Sequence, residues 1–579
     1  MNINLFTISN VQVSHPIFTT LPLRSALIAA GLLSLSTAIF LQSAHAANIG
    51  SQTGTNINVN AGDRITGDTK DVYENFYGVL NAYNQPSGTI TLGEGVTISV
   101  TDTTGIPRGV VVSGANSSLS ANALSVNVNG RSTVGIEISG DKARANLGTG
   151  SIVKTEGSDK ASGVQVKRAS VLTANNLSIE TVGENGIGLE VSNYGSRANL
   201  GSDSTIKTNG FVSTGIYVAG LNGTQSEGPA YLDATRLTID TQGDFAYGIN
   251  IQNNSIVDLG IGSKITTNGE YATGIWSHGD FKADALSIHA NGLSANALEV
   301  RDGVANIGAG SHFSSEQGGG LVTRRGVSNP SAIINFVGTA DNRNTIFSGG
   351  SYGASAQSLG AKIDLKNTDI TVDRNGRQSI ALWTLTGGVI TAENISIIGA
   401  TGAAGAYAMA NSQIDLSGDI SINMASVDQI AIGTQHDNGG LLNVTMTNSR
   451  WNVTQDSNLD TLRLNNTDVD FSNRTTTGYS TLRVANLSGS GKCTLRPDID
   501  GTNYAGDKLV ITGTSADAHS LTVLNHTGLA TTGNEVLTVV ETADGAANFA
   551  ATSQVELGGY LYDLRQNGTD WELYSSGQR

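Results

Sequence analysis

Along most of the chain Val, Ile and Leu return at every second position in short runs, divided by clusters of Gly, Asn, Asp, Ser and Thr. Period-two alternation bounded by turn residues predicts short strands that bury one face. The strands keep a fixed frame. In residues 206–218, IKTNGFVSTGIYV, Ile206 precedes Gly215 by nine positions and the run Ile216-Tyr217-Val218 follows. The same offset joins Val100 to Gly109, Val126 to Gly135, Ile179 to Gly188, Ile239 to Gly248 and Ile265 to Gly274. Ala takes the Gly place after Ile288 (Ala297), Val372 (Ala381), Ile397 (Ala406) and Ile422 (Ala431).

Self-similarity at a fixed period is the mark of a solenoid. Successive markers from Gly78 to Ala431 lie 23 to 33 residues apart, which fits a coil of three short strands and three turns. The predicted fold is therefore all-β, a parallel β-helix whose coils pair at about 4.8 Å per step. Two kinds of turn alternate. One reads NLGTGS (146–151), NLGSDS (199–204), DLGIGS (258–263) and NIGAGS (306–311); the other places Leu124, Leu177, Leu237 and Leu286. The leucines are 53, 60 and 49 residues apart, so two coils make one larger repeat. Gly or Ala at the marker suits a tight corner of the core, and stability is expected as a sum over neighbouring coils.

Three gaps exceed the usual length, and their extra residues must leave the coil as loops. These are 84–88 (NQPSG), 219–230 (AGLNGTQSEGPA) and 323–332 (TRRGVSNPSA). Loops on a rigid scaffold carry recognition more often than the scaffold does. Asn222, Gln225, Glu227, Arg324, Arg325 and Asn329 are the candidate binding residues. The regular stretch 206–218, by contrast, reads as coil geometry serving stacking.

Composition supports a solenoid over several globular domains, with 72 Gly, 7 Pro and only 14% charged residues in 579. The net charge of −16 excludes nucleic acid as a partner, since phosphate binding needs a basic stripe. A single cysteine, Cys493, precludes an intramolecular disulfide. At the amino terminus the apolar run 25–41 follows Arg24 and leads to Ala44-His45-Ala46. It is short of the ~20 residues of a membrane span and reads as a signal peptide cut between Ala46 and Ala47, which makes the Sec machinery a partner during export.

Residues 441–472 alternate more strictly and hold fewer glycines. From there the order of motifs resembles the carboxy-terminal part of pertactin-like autotransporter passenger domains. The matching elements are Trp451 in N-S-x-W-x-V, Leu487-Ser488-Gly489-Ser490-Gly491, Asp498, Gly506-Asp507-Lys508-Leu509, and Gly559-Tyr560 with Tyr562 and Trp571. The repeats upstream resemble the same family's helix. The resemblance implies a right-handed helix ending in an autochaperone-like cap that nucleates folding during secretion. The expected organisation is a signal peptide (1–46), an amino-terminal cap (47–78), the repeat array (79–440), the autochaperone-like region (441–574) and a tail (575–579). Cys493 stands where the family has an apolar residue, and a buried, inert thiol is expected. The family continues into a membrane β-barrel, whereas this sequence ends at Arg579 without strands of that kind; a translocator barrel is expected as a separate partner, unless the passenger is truncated and not displayed.

Parallel β-helices also carry polysaccharide-cleaving enzymes, whose catalytic motifs have recognisable companions. Asn367-Thr368-Asp369 and Asn466-Thr467-Asp468 match one pectin-hydrolase tripeptide without its companion motifs and read as strand-and-turn residues. Gly513-Thr514-Ser515-Ala516 resembles a subtilisin nucleophile stretch without its partners. His278, His289, His312, His436, His519 and His526 show no metal-ligand spacing. Trp276 and Trp383 follow markers on strands and read as packing residues. No catalytic residue, metal or cofactor is expected. The sequence-level function is a secreted or surface-displayed passenger, an adhesin toward host cells, matrix or other bacterial cells, with a carbohydrate-active enzyme as the alternative.

Overall fold

A computed structural model describes residues 48–49, 52–53, 56–67, 80–81, 87–102, 105–221, 228–324, 331–373, 379–400, 403–424, 432–434, 439–474, 478–500, 503–526 and 530–579. Every regular element among them is a strand. The unit from Ala46 onward is a parallel β-helix. One coil shows its plan: Thr205–Asn209 forms a first wall, Thr214–Ala219 a second and Tyr231–Thr235 a third. The next coil repeats it with Thr238–Thr241, Ile249–Gln252 and Ile256–Ile261, each paired in parallel with its predecessor.

The pairing register turns the nine-residue offset into a column. On the first wall Ile65 stands opposite Ile98, then Val126, Val153, Ile179, Ile206, Ile239, Ile265 and Ile288. The column continues through Phe313, Ile346, Ile370, Ile397, Ile422, Trp451, Val469, Cys493 and Leu521. All of these side chains are buried. Three offsets shift against the sequence reading. Ile98, not Val100, is the column residue before Gly109, and Ile370, not Val372, is the one before Ala381, because those corners are longer. Ala406 lies opposite Leu382, so the marker of that coil falls on Gly405.

The markers are glycines because each faces the coil above. A Cβ on Gly215 would sit 2.6 Å from the Gly248 carbonyl oxygen and 2.6 Å from Ile239 Cγ2; one on Gly188 would meet Ile206 Cγ2 at 2.4 Å.

The two-coil repeat has a volumetric cause. On the third wall the inward pairs run Leu119/Ala121, Ala145/Leu147, Leu172/Ala174, Ala198/Leu200 and Leu232/Ala234, so large and small residues exchange places from coil to coil. Where Ala takes the second place, the following corner supplies Leu124, Leu177 or Leu237. Where Leu takes it, the corner supplies a serine, whose hydroxyl donates back to the chain: Ser151 to the Leu147 carbonyl at 2.7 Å and Ser204 to that of Leu200 at 3.0 Å. The same hydroxyls accept the Leu124 and Leu177 amides of the coil below, each at 3.1 Å. Core volume stays near constant, and the small corner loses no hydrogen bond.

The ladder crosses 440/441 without a break, since Leu442 to Met446 pair with Ile414 to Gly418. It ends where Asp570–Ser575 pairs antiparallel with Val536–Thr542 and with Tyr560–Asn567. That reversal covers an edge that would otherwise accept another strand. Two buried carboxylates tie the end together. Asp507 accepts the Ser480 and Arg496 amides at 2.9 Å each and the Arg496 guanidinium at 2.8 and 3.0 Å. Glu535 accepts the Tyr562 hydroxyl at 2.6 Å, the Thr532 hydroxyl at 2.8 Å and the Thr532, Gly533 and Asn534 amides. The motif residues Asp507, Tyr562 and Trp451 thus have structural posts. Cys493 is buried in the first-wall column, and burial, with Asp468 adding to it, pushes its thiol up to about 12.

Gly215→Val is expected to lower stability by about 1–3 kcal/mol through overpacking, while the exposed Thr238→Val on the next coil changes little; chemical denaturation of residues 47–579 compares them. Acid gives a second test. Burial would push the Glu535 carboxyl up, but the Tyr562 hydroxyl and the Thr532 donors outweigh it and hold it down at about 2. A depressed carboxyl stabilises the fold above its unfolded value and stops doing so as pH falls through its folded value. The carboxy-terminal end is therefore expected to loosen as pH falls from about 4.5 toward 2, seen in the fluorescence of Trp571, and Glu535→Gln removes that step.

Candidate functional site

The second wall is where the sequence-predicted loops meet. The strands Leu80–Asn81, Thr214–Ala219 and Leu321–Thr323 are stacked members of this wall. The insertions 219–230 and 323–332 open directly after the second and third of these strands and leave at the same corner, whereas the first long gap takes most of its extra residues at the corner before Arg108–Val112. Of the six candidate loop residues, Arg324 is described; Asn222, Gln225, Glu227, Arg325 and Asn329 lie outside the described residues, as do Ala46, Ala47 and His436.

Between the loop corner and the preceding corner runs the column that alternates with the core positions: Glu137, Gln165, Glu190, Tyr217, Asn250, Trp276, Glu299, Val322, Ser355, Trp383 and Tyr407, of which Gln165, Glu299, Val322 and Ser355 are buried and the rest half-buried. Tyr217 and Val322, on the strands that lead into the two later loops, are four steps apart, about 19 Å at the ladder rise. Trp276 sits midway. Its ring stacks on Tyr247, centroids 5.3 Å apart, and the Arg301 guanidinium lies 4.4 Å from it. Arg301 also donates to Glu299 at 2.9 Å, Asn296 donates to the same carboxylate at 2.8 Å, and Arg324 Nε stands 4.0 Å away. His278 pairs with Asp302 at 2.8 Å. Further along, Trp383 stacks on Tyr352 at 4.3 Å. Burial first, then the Glu299 charge, pushes the Tyr247 hydroxyl up, so it stays neutral; burial and Glu190 do the same for Tyr217. The packing reading of both tryptophans holds in this respect: neighbours along the helix already cover a ring face of each.

The opposite border of the wall carries a feature the sequence reading passed over. The corner before each second-wall strand presents Phe211 and Val212, then Phe245, then Tyr271, with side chains 50%, 36%, 42% and 46% exposed. Phe211 meets Phe245 edge-on at 5.7 Å, and Phe245 stacks on Tyr271 at 5.0 Å with planes 12° apart. A staircase of glycines allows this closeness, since a Cβ on Gly243 would come within 1.7 Å of the Gly210 carbonyl. Val212, Phe245 and Tyr271 adopt left-handed backbone, φ 57°, 55° and 55°. Asn185 holds the same place one coil earlier at φ 51°. Asn tolerates that region, whereas β-branched and aromatic residues pay about 1 kcal/mol or more to enter it. The signal for this ridge is in the sequence as TNGFV, TQGDF and TNGEY at 208–212, 241–245 and 267–271.

The remaining candidates are accounted for locally. Asn367 and Asn466 are left-handed corner residues, and Asp369 binds Arg343. Ser515 donates to Asp544, while His519 faces the Ala516 carbonyl and burial lowers its pKa. His289 and His312 pair with Ser314 and Thr345. Among the described residues no three His, Cys, Asp or Glu side chains converge as a metal site would need.

A family model described as Pertactin matches residues 459–575. The chain is 49% identical over 604 residues to "Probable autotransporter YcgV" of Escherichia coli strain K12, an alignment covering 95% of this chain and 62% of that one. It is 47% identical over 524 residues to "Putative uncharacterized protein YcgV" of Escherichia coli O157:H7, covering 82% and 94%. Over 133 residues it is 33% identical to "Autotransporter adhesin/invasin TibA" of Escherichia coli O78:H11, covering 22% and 13%. The chain thus spans 62% of the length of the first of these relatives.

Proposed function

The chain belongs to the pertactin-like autotransporter passengers, and on that premise we propose that it is an adhesive passenger whose second wall, between the loop corner and the aromatic ridge, binds a host-cell, matrix or bacterial surface. Autotransporter passengers are exported, and their place is the cell surface or the medium. In this reading the Sec machinery carries the chain out, cleavage falls between Ala46 and Ala47, and a translocator β-barrel is the partner that displays it. The observation that carries the reading is the convergence of the two longest insertions, 219–230 and 323–332, on one corner of one wall. A rigid solenoid that keeps its irregular segments on a single side presents them together to an extended partner. One relative named as an adhesin/invasin points the same way.

Binding is favoured over catalysis because the carboxylates of this wall are engaged. Glu137 is tied to Arg108, Glu190 to Lys167 at 3.1 Å, Glu299 to Arg301 at 2.8 Å and Asp302 to His278. A general acid or base needs a carboxyl free to exchange its proton with substrate.

Beads coated with residues 47–579 are expected to adhere to epithelial cells or extracellular matrix above albumin-coated beads. Shortening 222–227 and 325–330 together should cut adhesion by roughly tenfold, the scale of a 1.4 kcal/mol loss. Adhesion no better than albumin, or unchanged by both deletions, contradicts the reading.

A further inference from the structure

We propose that the corner ridge of Phe211, Val212, Phe245 and Tyr271 is a docking surface for a protein partner that presents an apolar cleft rimmed by lysine and arginine. The inference deepens the adhesive reading by naming the chemistry of what the second wall meets.

Two observations carry it. The rings are exposed on consecutive coils rather than scattered, and aromatic side chains grouped in this way are the usual anchors of protein interfaces. Three of the four residues hold a left-handed backbone that Asn185 occupies at the same corner one coil earlier, so the fold would accept a polar residue there. Backbone strain kept at exposed apolar positions marks a site whose side chains are wanted for themselves.

Ring orientation and charge then select the partner. Phe245 and Tyr271 cover one another's facing sides, so one face of each is closed to a stacking ligand and their edges line the ridge. A sugar stacks on an open ring face, whereas a row of edges fits between apolar side chains of a cleft. Beside the rings, Glu184, Asp244 and Glu270 are exposed. The backbone bonds Val212 to Asp244 and Phe245 to Glu270 place two of those acids in the column next to the rings. This border repels anionic polysaccharide, anionic lipid and, in a chain of net charge −16, a second copy of the same surface. It attracts a basic rim.

The test uses residues 47–579 and the double variant Phe245→Asn with Tyr271→Asn. Because Asn suits the left-handed corner, the variant is expected to keep or slightly raise the melting temperature, which separates lost binding from misfolding. A random-peptide phage library is selected on each protein. Peptides enriched on the parent are expected to combine apolar residues with lysine or arginine, to bind the variant roughly tenfold or more weakly, and to bind a Leu359→Ala control normally. Enrichment of acidic peptides, or equal binding to parent and variant, overturns the proposal. Binding of chitohexaose, or concentration-dependent dimerisation in sedimentation, that disappears in the variant also overturns it, in favour of a glycan or a second copy. If cells adhere through the loops while the variant behaves as the parent, the ridge proposal falls and the adhesive reading stands. If peptides bind the ridge but coated beads never adhere, the reverse holds.

Discussion

Everything in this molecule hangs on parallel pairing between one coil and the next at a fixed rise. A coil of three short strands cannot bury its apolar face alone; it does so only between neighbours in register. A one-residue slip in any strand would turn its side chains to the wrong face. The unbroken first-wall column from Ile65 to Leu521 is the visible result. Its residues are β-branched almost throughout, as suits a pleated, laterally packed surface, with Phe313 and Trp451 as the bulky members.

That constraint decides where sequence is free. Inside, size is rationed: markers stay small because a side chain there meets the next coil, and the third wall trades Leu against Ala so that each layer fills. Outside, the ladder fixes only spacing, and side chains from successive coils fall into rows. On the third wall such a row is polar and internally bonded, as Asn335 donates to Asn306 at 2.7 Å and Asn443 to Asp415 at 2.9 Å. On the second wall the row is aromatic and charged, bordered on one side by insertions and on the other by exposed rings. The two outer faces differ in chemistry although they share one geometry, and that difference is the ground for proposing the second wall as the binding side.

Period, parallel pairing and the two-coil alternation were legible in the sequence because they repeat. The offsets at Val100, Val372 and Ala406 misled because period two offers a neighbouring apolar or small residue at nearly the same distance. The convergence of the loops needed the fold, since gap lengths do not say which corner opens. The ridge was missed for another reason. Phe211 stands inside the most regular stretch, IKTNGFVSTGIYV, and a ring within a faithful repeat reads as core; only the corner geometry turns it outward. The carboxy-terminal motifs read well, because Asp507, Trp451 and Tyr562 are fixed by burial and hydrogen bonding rather than by period.

The binding side can be tested by blocking one face at a time. Cys493 is buried with its thiol pushed up, so a cysteine placed on the surface is labelled selectively by a polyethylene glycol maleimide. Glu270→Cys lies beside the ridge, and Lys282→Cys lies on the third wall. Adhesion of beads coated with each labelled protein should be abolished by the polymer at 270 and unaffected at 282. Loss at 282 with adhesion intact at 270 would contradict the assignment of the second wall as the binding face.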